Sequence, residues 1–368
     1  MTRCFIYIML LLMIVSGCQP TTPPELVKPP KDTKIEQEKP VIKEEVSRLS
    51  IPRENFDRVV GWVTNEEILY VTRQQSQSSL RLYHNETGEI KEITKIVEPI
   101  IEVRIHPDLT KLAVITSSNS LSATIHIFSI AGEKIDEVTI ESSEMYWDWD
   151  SSHNDQLFFS AFYEDWTFDS FVYLGKTKEL NRIEATDPFG KWGYDSTIQM
   201  INWPENDSLS GGSLRELNSK TMSFQDSTDS TIIYVESFRE VNLTVRISED
   251  QQLFLYTVTN IKEGKSATYE MPVISNYSQW FVPEIDWLDD GTIVTFVAKE
   301  SGLMDAISKD FTLVQLTHET TSKTSIWEGP YGQFACTPSG QICLIGVELK
   351  GILKVGSNVV KPWIEIIE

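Results

Sequence analysis

The chain has 368 residues, of which 40% are hydrophobic, 10% aromatic and 23% charged, and its formal net charge is −22. That balance excludes collagen, a coiled coil and wholesale disorder. A surface so acidic repels phosphate backbones and no basic tract interrupts it, so no nucleic-acid partner is expected.

The chain opens with Arg3 and an apolar run from Cys4 to Val15, followed by Ser16-Gly17-Cys18. A cationic start, a short apolar stretch and small residues before a processing point describe an export signal over 1–17. The run falls short of the roughly 20 residues of a membrane-spanning helix. Val15-Ser16-Gly17-Cys18 resembles the bacterial lipobox, in which the cysteine thiol receives a diacylglyceryl group and becomes the mature N-terminus. The resemblance implies a chain anchored in the cell membrane through acyl chains on Cys18, with its bulk on the extracytoplasmic face. Each buried methylene adds about 0.8 kcal/mol, so two or three chains hold firmly.

Residues 18–50 read as a disordered tether. Pro20, Pro23, Pro24, Pro29, Pro30 and Pro40 break helices, and apolar residues are too sparse to build a core. Five Lys and one Arg balance six carboxylates over 19–50, so nearly all the net charge falls on the remainder. A coil of this length spans roughly 30 Å, or about 100 Å if fully polyproline-like.

From Ile51 to Glu368 short β-branched and aromatic runs alternate with turn clusters, the pattern of an all-β fold. Seven units share a strand, a polar turn and a second strand: 59–72, 103–116, 147–161, 198–212, 245–259, 285–298 and 332–347. Trp62, His106, Trp149, Trp203, Ser248, Trp287 and Thr337 mark equivalent points at intervals close to the 40–50 residues of a four-stranded propeller blade. LRLYHNETGEIKEI (80–93) and IHIFSIAGEKIDEVTI (125–140) supply the second half of a blade. The expectation is a single β-propeller of six or seven blades over 51–368. The turns HPDLTKLAV and WLDDGTIVTF resemble those of TolB-like and WD40-like propellers. Together with the signal cysteine, the tether and the opening FDRVVGWVTNEEILYVT, they make the chain similar to the YqgU-like bacterial lipoproteins. That resemblance implies a six-bladed propeller and carries no established activity.

Cys336 and Cys343 flank Thr337-Pro338-Ser339-Gly340. With Ser339-Gly340 as a two-residue turn they face each other across a hairpin, so they are either disulfide-bonded or two buried thiols. His84, His106, His126, His153 and His318 form no ligand-spaced pair, and the chain has no GxSxG elbow and no P-loop, so no metal and no cofactor are expected. Asp148, Asp150 and Asp155 are a weak calcium candidate beside a plain solvated turn. Ser213 sits in a polar loop, a poor setting for a nucleophile.

The functional signal lies in position. Connections leaving the outer strand, and those joining second to third strands, open on one face of a propeller, and several are aromatic. Trp166 falls in one; Asp187, Phe189, Trp192 and Tyr194 in the next; Tyr277 and Trp280 in a third; Trp327 and Tyr331 in a fourth. These are the candidate ligand-binding residues, and the opposite reading is that the tryptophans fold inward and cap the blades. The opposite-face turns NETG, IAGE and SEDQQ are plainer. The expected function is a membrane-anchored, non-enzymatic binding or scaffold module for an envelope protein, peptide or glycan. The alternative is a lipid-anchored hydrolase or lyase using Glu164, Asp165, Asp169, Asp187 or Asp195.

Overall fold

The computed structural model describes residues 48–368 apart from 153, 154, 206 and 208. The signal peptide, Cys18 and nearly all of the tether lie outside the described residues. The first described strand, Leu49–Pro52, begins just ahead of the boundary suggested by the sequence.

Seven antiparallel four-stranded sheets follow one another along the chain, so the six-or-seven question resolves to seven blades among the described residues. Their innermost strands are Phe56–Trp62, Ile100–Ile105, Glu144–Trp149, Lys191–Trp192, Ile232–Phe238, Ile285–Trp287 and Phe334–Cys336. In each blade the second strand is wedged between neighbouring blades and is buried on both sides. That is why ILYV, LAVI, LFFSA and IVTFVA are continuous apolar runs rather than alternating ones. Each Leu, Ile or Phe buried there contributes about 1.5–3 kcal/mol. The outermost strands face water on one side and alternate, as in Lys265–Pro272.

One hydrogen bond recurs where first and second strands meet. The N–H groups of Val63, His106, Asp150, Gly193, Leu288 and Thr337 donate to the carbonyls of Glu67, Lys111, Gln156, Thr197, Thr292 and Ile342 at 2.7–3.0 Å. Two of the sequence-read units do not fit this position. The turns after Trp203 and at Ser248 join second to third strands, one strand later than expected. Blade 4 opens with only two residues, Lys191–Trp192, so its long second strand passes for a first one. Blade 5 makes its first turn with Arg239-Glu240, which carries no Asp, Pro or Gly signal, and Arg239 adopts φ 53°. SEDQQ therefore lies on the same face as the aromatic connections, while NETG and IAGE lie opposite.

Blades 1 and 7 are each built from one continuous segment, so no shared sheet closes the ring. The first strand of blade 7 packs beside that of blade 1. Leu49–Pro52 also pairs in parallel with Ile364–Ile367, forming a clasp. Leu49, Ile51, Trp363 and Ile364 are buried with Trp62 and Tyr83 of blade 1 and Leu344 and Ile352 of blade 7. The Trp363 indole N–H donates to the Leu349 carbonyl at 2.7 Å, and its ring lies 5.4 Å from that of Tyr83.

Candidate functional site

The innermost strands surround a cavity of about 750 Å³. Polar contacts cross every blade boundary close to it. Arg58 donates to the Ile101 carbonyl at 2.7 Å and Arg104 to the Trp147 carbonyl at 3.0 Å. Asp148 accepts the Trp192 N–H at 2.7 Å, and Asp286 accepts that of Cys336 at 2.6 Å. Lys191 lies 3.5 Å from Glu236, which also accepts the Trp287 indole N–H at 2.9 Å. The Ser339 N–H closes the circuit by donating to the Asn65 side chain at 3.1 Å.

Electrostatics follow from this crowding. Burial pushes the Asp148 carboxyl up, against the pull of Lys191 and the Trp192 N–H. Burial also pushes Asp286 up to about 7, with Glu284 and Glu236 adding to the shift. Burial opposes the Lys191 ammonium, yet Glu236, Tyr234 and Asp148 outweigh it and hold its pKa well above the ordinary value. A charge is tolerated here because it bonds the next blade, so these groups serve ring integrity. Among the described residues no group of three His, Cys, Asp or Glu is placed to hold a metal ion. Asp148 turns to the cavity, Asp150 holds Ser152 and Asp155 pairs with Lys111, so the weak calcium trio is dispersed.

Antiparallel order puts blade-to-blade and second-to-third connections on one side, here the loop face. First-to-second and third-to-fourth turns lie on the other, the hairpin face. Trp166 stands at the tip of the blade 3 loop, 86% exposed, at φ 66°. Tyr277 tips an inserted hairpin (Ile274–Asn276, Gln279–Trp280) between blades 5 and 6, 78% exposed, at φ 54°. Phe189 is 57% exposed, and its ring centroid lies 5.2 Å from that of Tyr146 and 6.0 Å from that of Phe162.

The remaining candidates are held inside or elsewhere. Trp192 is buried in the first strand of blade 4. Asp187 is buried and accepts the N–H groups of Phe189 and Ile201 and the Trp203 indole N–H, which fixes its loop. Trp280 packs edge-on against Phe254 and donates its indole N–H to the Leu209 carbonyl at 2.7 Å. Trp327 and Tyr331 pack on Phe296. Tyr194 is partly exposed on the hairpin face, because Gly193–Ser196 is a first-to-second turn. Asp169 pairs with Arg182, and Asp195 pairs with Lys220 on the hairpin face, so the five carboxylates weighed for hydrolysis do not share one face. Cys336 and Cys343 are disulfide-bonded.

Sequence reasoning passed over the exposed Val97, Leu121, Leu303 and Val347, which add apolar tips to the loop face. It also passed over Arg104, Lys191 and Glu236 of the ring. Their spacing was a usable signal, since Asp148 and Trp192 stand 44 residues apart and Lys191 and Glu236 stand 45 apart, one blade each.

Residues 81–346 match the YqgU-like 6-bladed beta propeller domain. The chain belongs to that family. The match starts within the third strand of blade 1 and ends just past the second strand of blade 7, so it takes in five whole sheets and parts of two. A curated relative, the uncharacterised lipoprotein YqgU of Bacillus subtilis (strain 168), is 22% identical over 98% of this chain and 96% of its own length. The chain is thus a propeller homologue of a lipoprotein. An uncharacterised protein of Listeria monocytogenes EGD-e, known from a crystal structure, superposes with a TM-score of 0.76 at 19% identity, over 88% of this chain and 98% of that one. An oligogalacturonate lyase in complex with manganese gives a TM-score of 0.54 at 11% identity, over 83% of this chain and 90% of that one, a likeness of fold alone.

Proposed function

We propose that this family member is a lipid-anchored, extracytoplasmic binding module that holds its ligand on the loop face and performs no catalysis. The anchor rests on the lipobox and on the homologous lipoprotein. One observation carries the choice of face: its most exposed aromatic side chains, Trp166 and Tyr277, stand on that face. Leaving large apolar rings in water costs free energy that folding does not recover, whereas a partner that covers them does. The cavity carboxylates argue against chemistry there, since several are occupied in bonding adjacent blades.

The test is photocrosslinking in cells from the full chain with a photoreactive residue at 166, 189 or 277, compared with 222 or 261 on the hairpin face. Adducts confined to the first three positions are the expected result. Equal yields from both faces, or a turnover assay that fails when Asp286 is replaced, would sink the proposal.

A further inference from the structure

Four loop-face connections touch in sequence around blades 3 to 6. Phe162, at the base of 163–167, has its ring centroid 6.0 Å from that of Phe189 in 184–190. In that loop Asp187 accepts the indole N–H of Trp203, which opens 203–212. Leu209 of that segment accepts the indole N–H of Trp280, within 273–284. The tips thus belong to one continuous surface rather than to scattered loops.

None of these four connections contains a Lys or an Arg, and together they hold seven carboxylates, of which Asp187 is buried and Glu284 lines the central cavity. Glu164, Glu184 and Glu205 are exposed, while the nearby cation Arg182 is engaged by Asp169. On the hairpin face the turns do carry cations, Lys178 and Lys220, paired there with Asp136 and Asp195. The acid bias of the chain is therefore undiluted where its aromatic tips are most exposed.

The backbone adds an independent point. Trp166 and Tyr277 are the aromatic residues among the described non-glycine residues in the left-handed region. Glycine or asparagine relieves that conformation, and a bulky residue there is costly. Both rings are largely exposed, so folding gains little from burying them.

We infer that this strip docks a lysine- and arginine-rich amphipathic polypeptide segment, with Trp166 and Tyr277 as its anchors; the inference rests on the loop-face reading above. Carboxylates flanking exposed rings attract cations electrostatically, and the ring faces bind ammonium and guanidinium groups. The same carboxylates repel an anionic lipid surface, so a bilayer is the disfavoured occupant.

The test titrates the full chain in neutral detergent with a synthetic lysine–leucine amphipathic peptide, its glutamate–leucine counterpart, and phosphatidylglycerol vesicles. Variants are the W166G/Y277G double substitution and Met222→Gly, a matched left-handed position on the hairpin face. Thermal melts verify that each variant is folded. The lysine peptide is expected to bind in a salt-sensitive manner and to weaken at least about tenfold in the double variant, the usual scale for aromatic anchors. M222G and the glutamate peptide should show no such loss and no binding, respectively. Undiminished affinity in the double variant overturns the inference, as does vesicle binding that depends on Trp166. If crosslinks remain confined to the loop face while lysine-peptide affinity ignores both anchors, the partner chemistry falls and the binding face stands.

Discussion

Asp286 and Cys336 stand on the innermost strands of consecutive blades, and the Asp286 carboxylate accepts the Cys336 backbone N–H at 2.6 Å. The acid is held at about 7 by burial and by Glu284 and Glu236, well above the ordinary 3.8. The folded state therefore binds this proton more tightly than the unfolded chain does. The resulting stabilisation is complete below pH 3.8 and is lost as pH rises through about 7. Asp286→Asn keeps an acceptor and removes the charge, so its advantage over the parent should grow as pH rises from about 4 to about 7, by at most about 1.4 kcal/mol per unit, and level off above that. Asp286→Ala strands the N–H and should cost about 1–3 kcal/mol at pH 5. Denaturant midpoints across that range check both; parallel profiles for parent and D286N would refute the assignment.

The Cys336–Cys343 bond sits in the hairpin of blade 7, closed by Gly340 at φ 68°. Its sequence separation is 7, a short loop whose closure constrains the unfolded chain by about 2.5 kcal/mol. Cys336→Ser with Cys343→Ser should destabilise by that order. Hydrogen exchange should rise first in blade 7 and the adjoining clasp. A uniform rise around the ring would mean that the bond does not act locally.

The blade period was legible because each second strand is buried on both sides and writes a continuous apolar run, as in LFFSA. The facing of Cys336 and Cys343 was legible from the turn residues between them, although the turn centres on Pro338-Ser339, with the Gly340 N–H donating to the Thr337 carbonyl, rather than on Ser339-Gly340. Blade 4 misled because its first strand shrank to Lys191–Trp192, and blade 5 because its first turn uses Arg239-Glu240 rather than Asp or Gly. The clasp was invisible, since Leu49 and Ile364 are partners only after the chain has gone round the ring. Among the aromatic candidates, sequence placed Trp166, Phe189 and Tyr277 in loop-face connections, but it put Trp192 and Tyr194 there too, which belong to a first strand and a hairpin-face turn, and it did not give the direction of each ring. Whether a Trp points out, like Trp166, or in, like Trp280 on Phe254, depends on neighbours supplied by other blades.

The clasp predicts coupling between the two ends of the chain. Trp363 is buried between blades 1 and 7, so Trp363→Ala should cost about 3–5 kcal/mol. Leu49 and Ile364 are paired in register, so Leu49→Ala and Ile364→Ala should be non-additive, with an interaction energy above about 0.5 kcal/mol. Urea unfolding of the single and double variants gives the cycle, and strict additivity would show that the strands do not act as one unit.

Membrane anchoring has a direct chemical test. Radiolabelled palmitate fed to expressing cells should appear in the parent chain and not in Cys18→Ala, and the variant should leave the membrane fraction. Label persisting in the variant would place the acyl chain elsewhere.

Trp166 separates folding from binding most sharply. At φ 66° glycine is favoured by about 1 kcal/mol over a side-chain-bearing residue, and the ring is largely exposed, so little burial is lost with it. Trp166→Gly should therefore melt at or above the parent temperature, and Tyr277→Gly should behave alike. Buried Trp192 is the counter-case: Trp192→Gly removes a side chain packed against Phe158 and Ile198 and should destabilise by several kcal/mol. Calorimetry on the three variants decides the matter. A residue that folding does not need, kept at a position that disfavours it, is retained for something outside the fold; a large loss of stability in W166G would remove that argument.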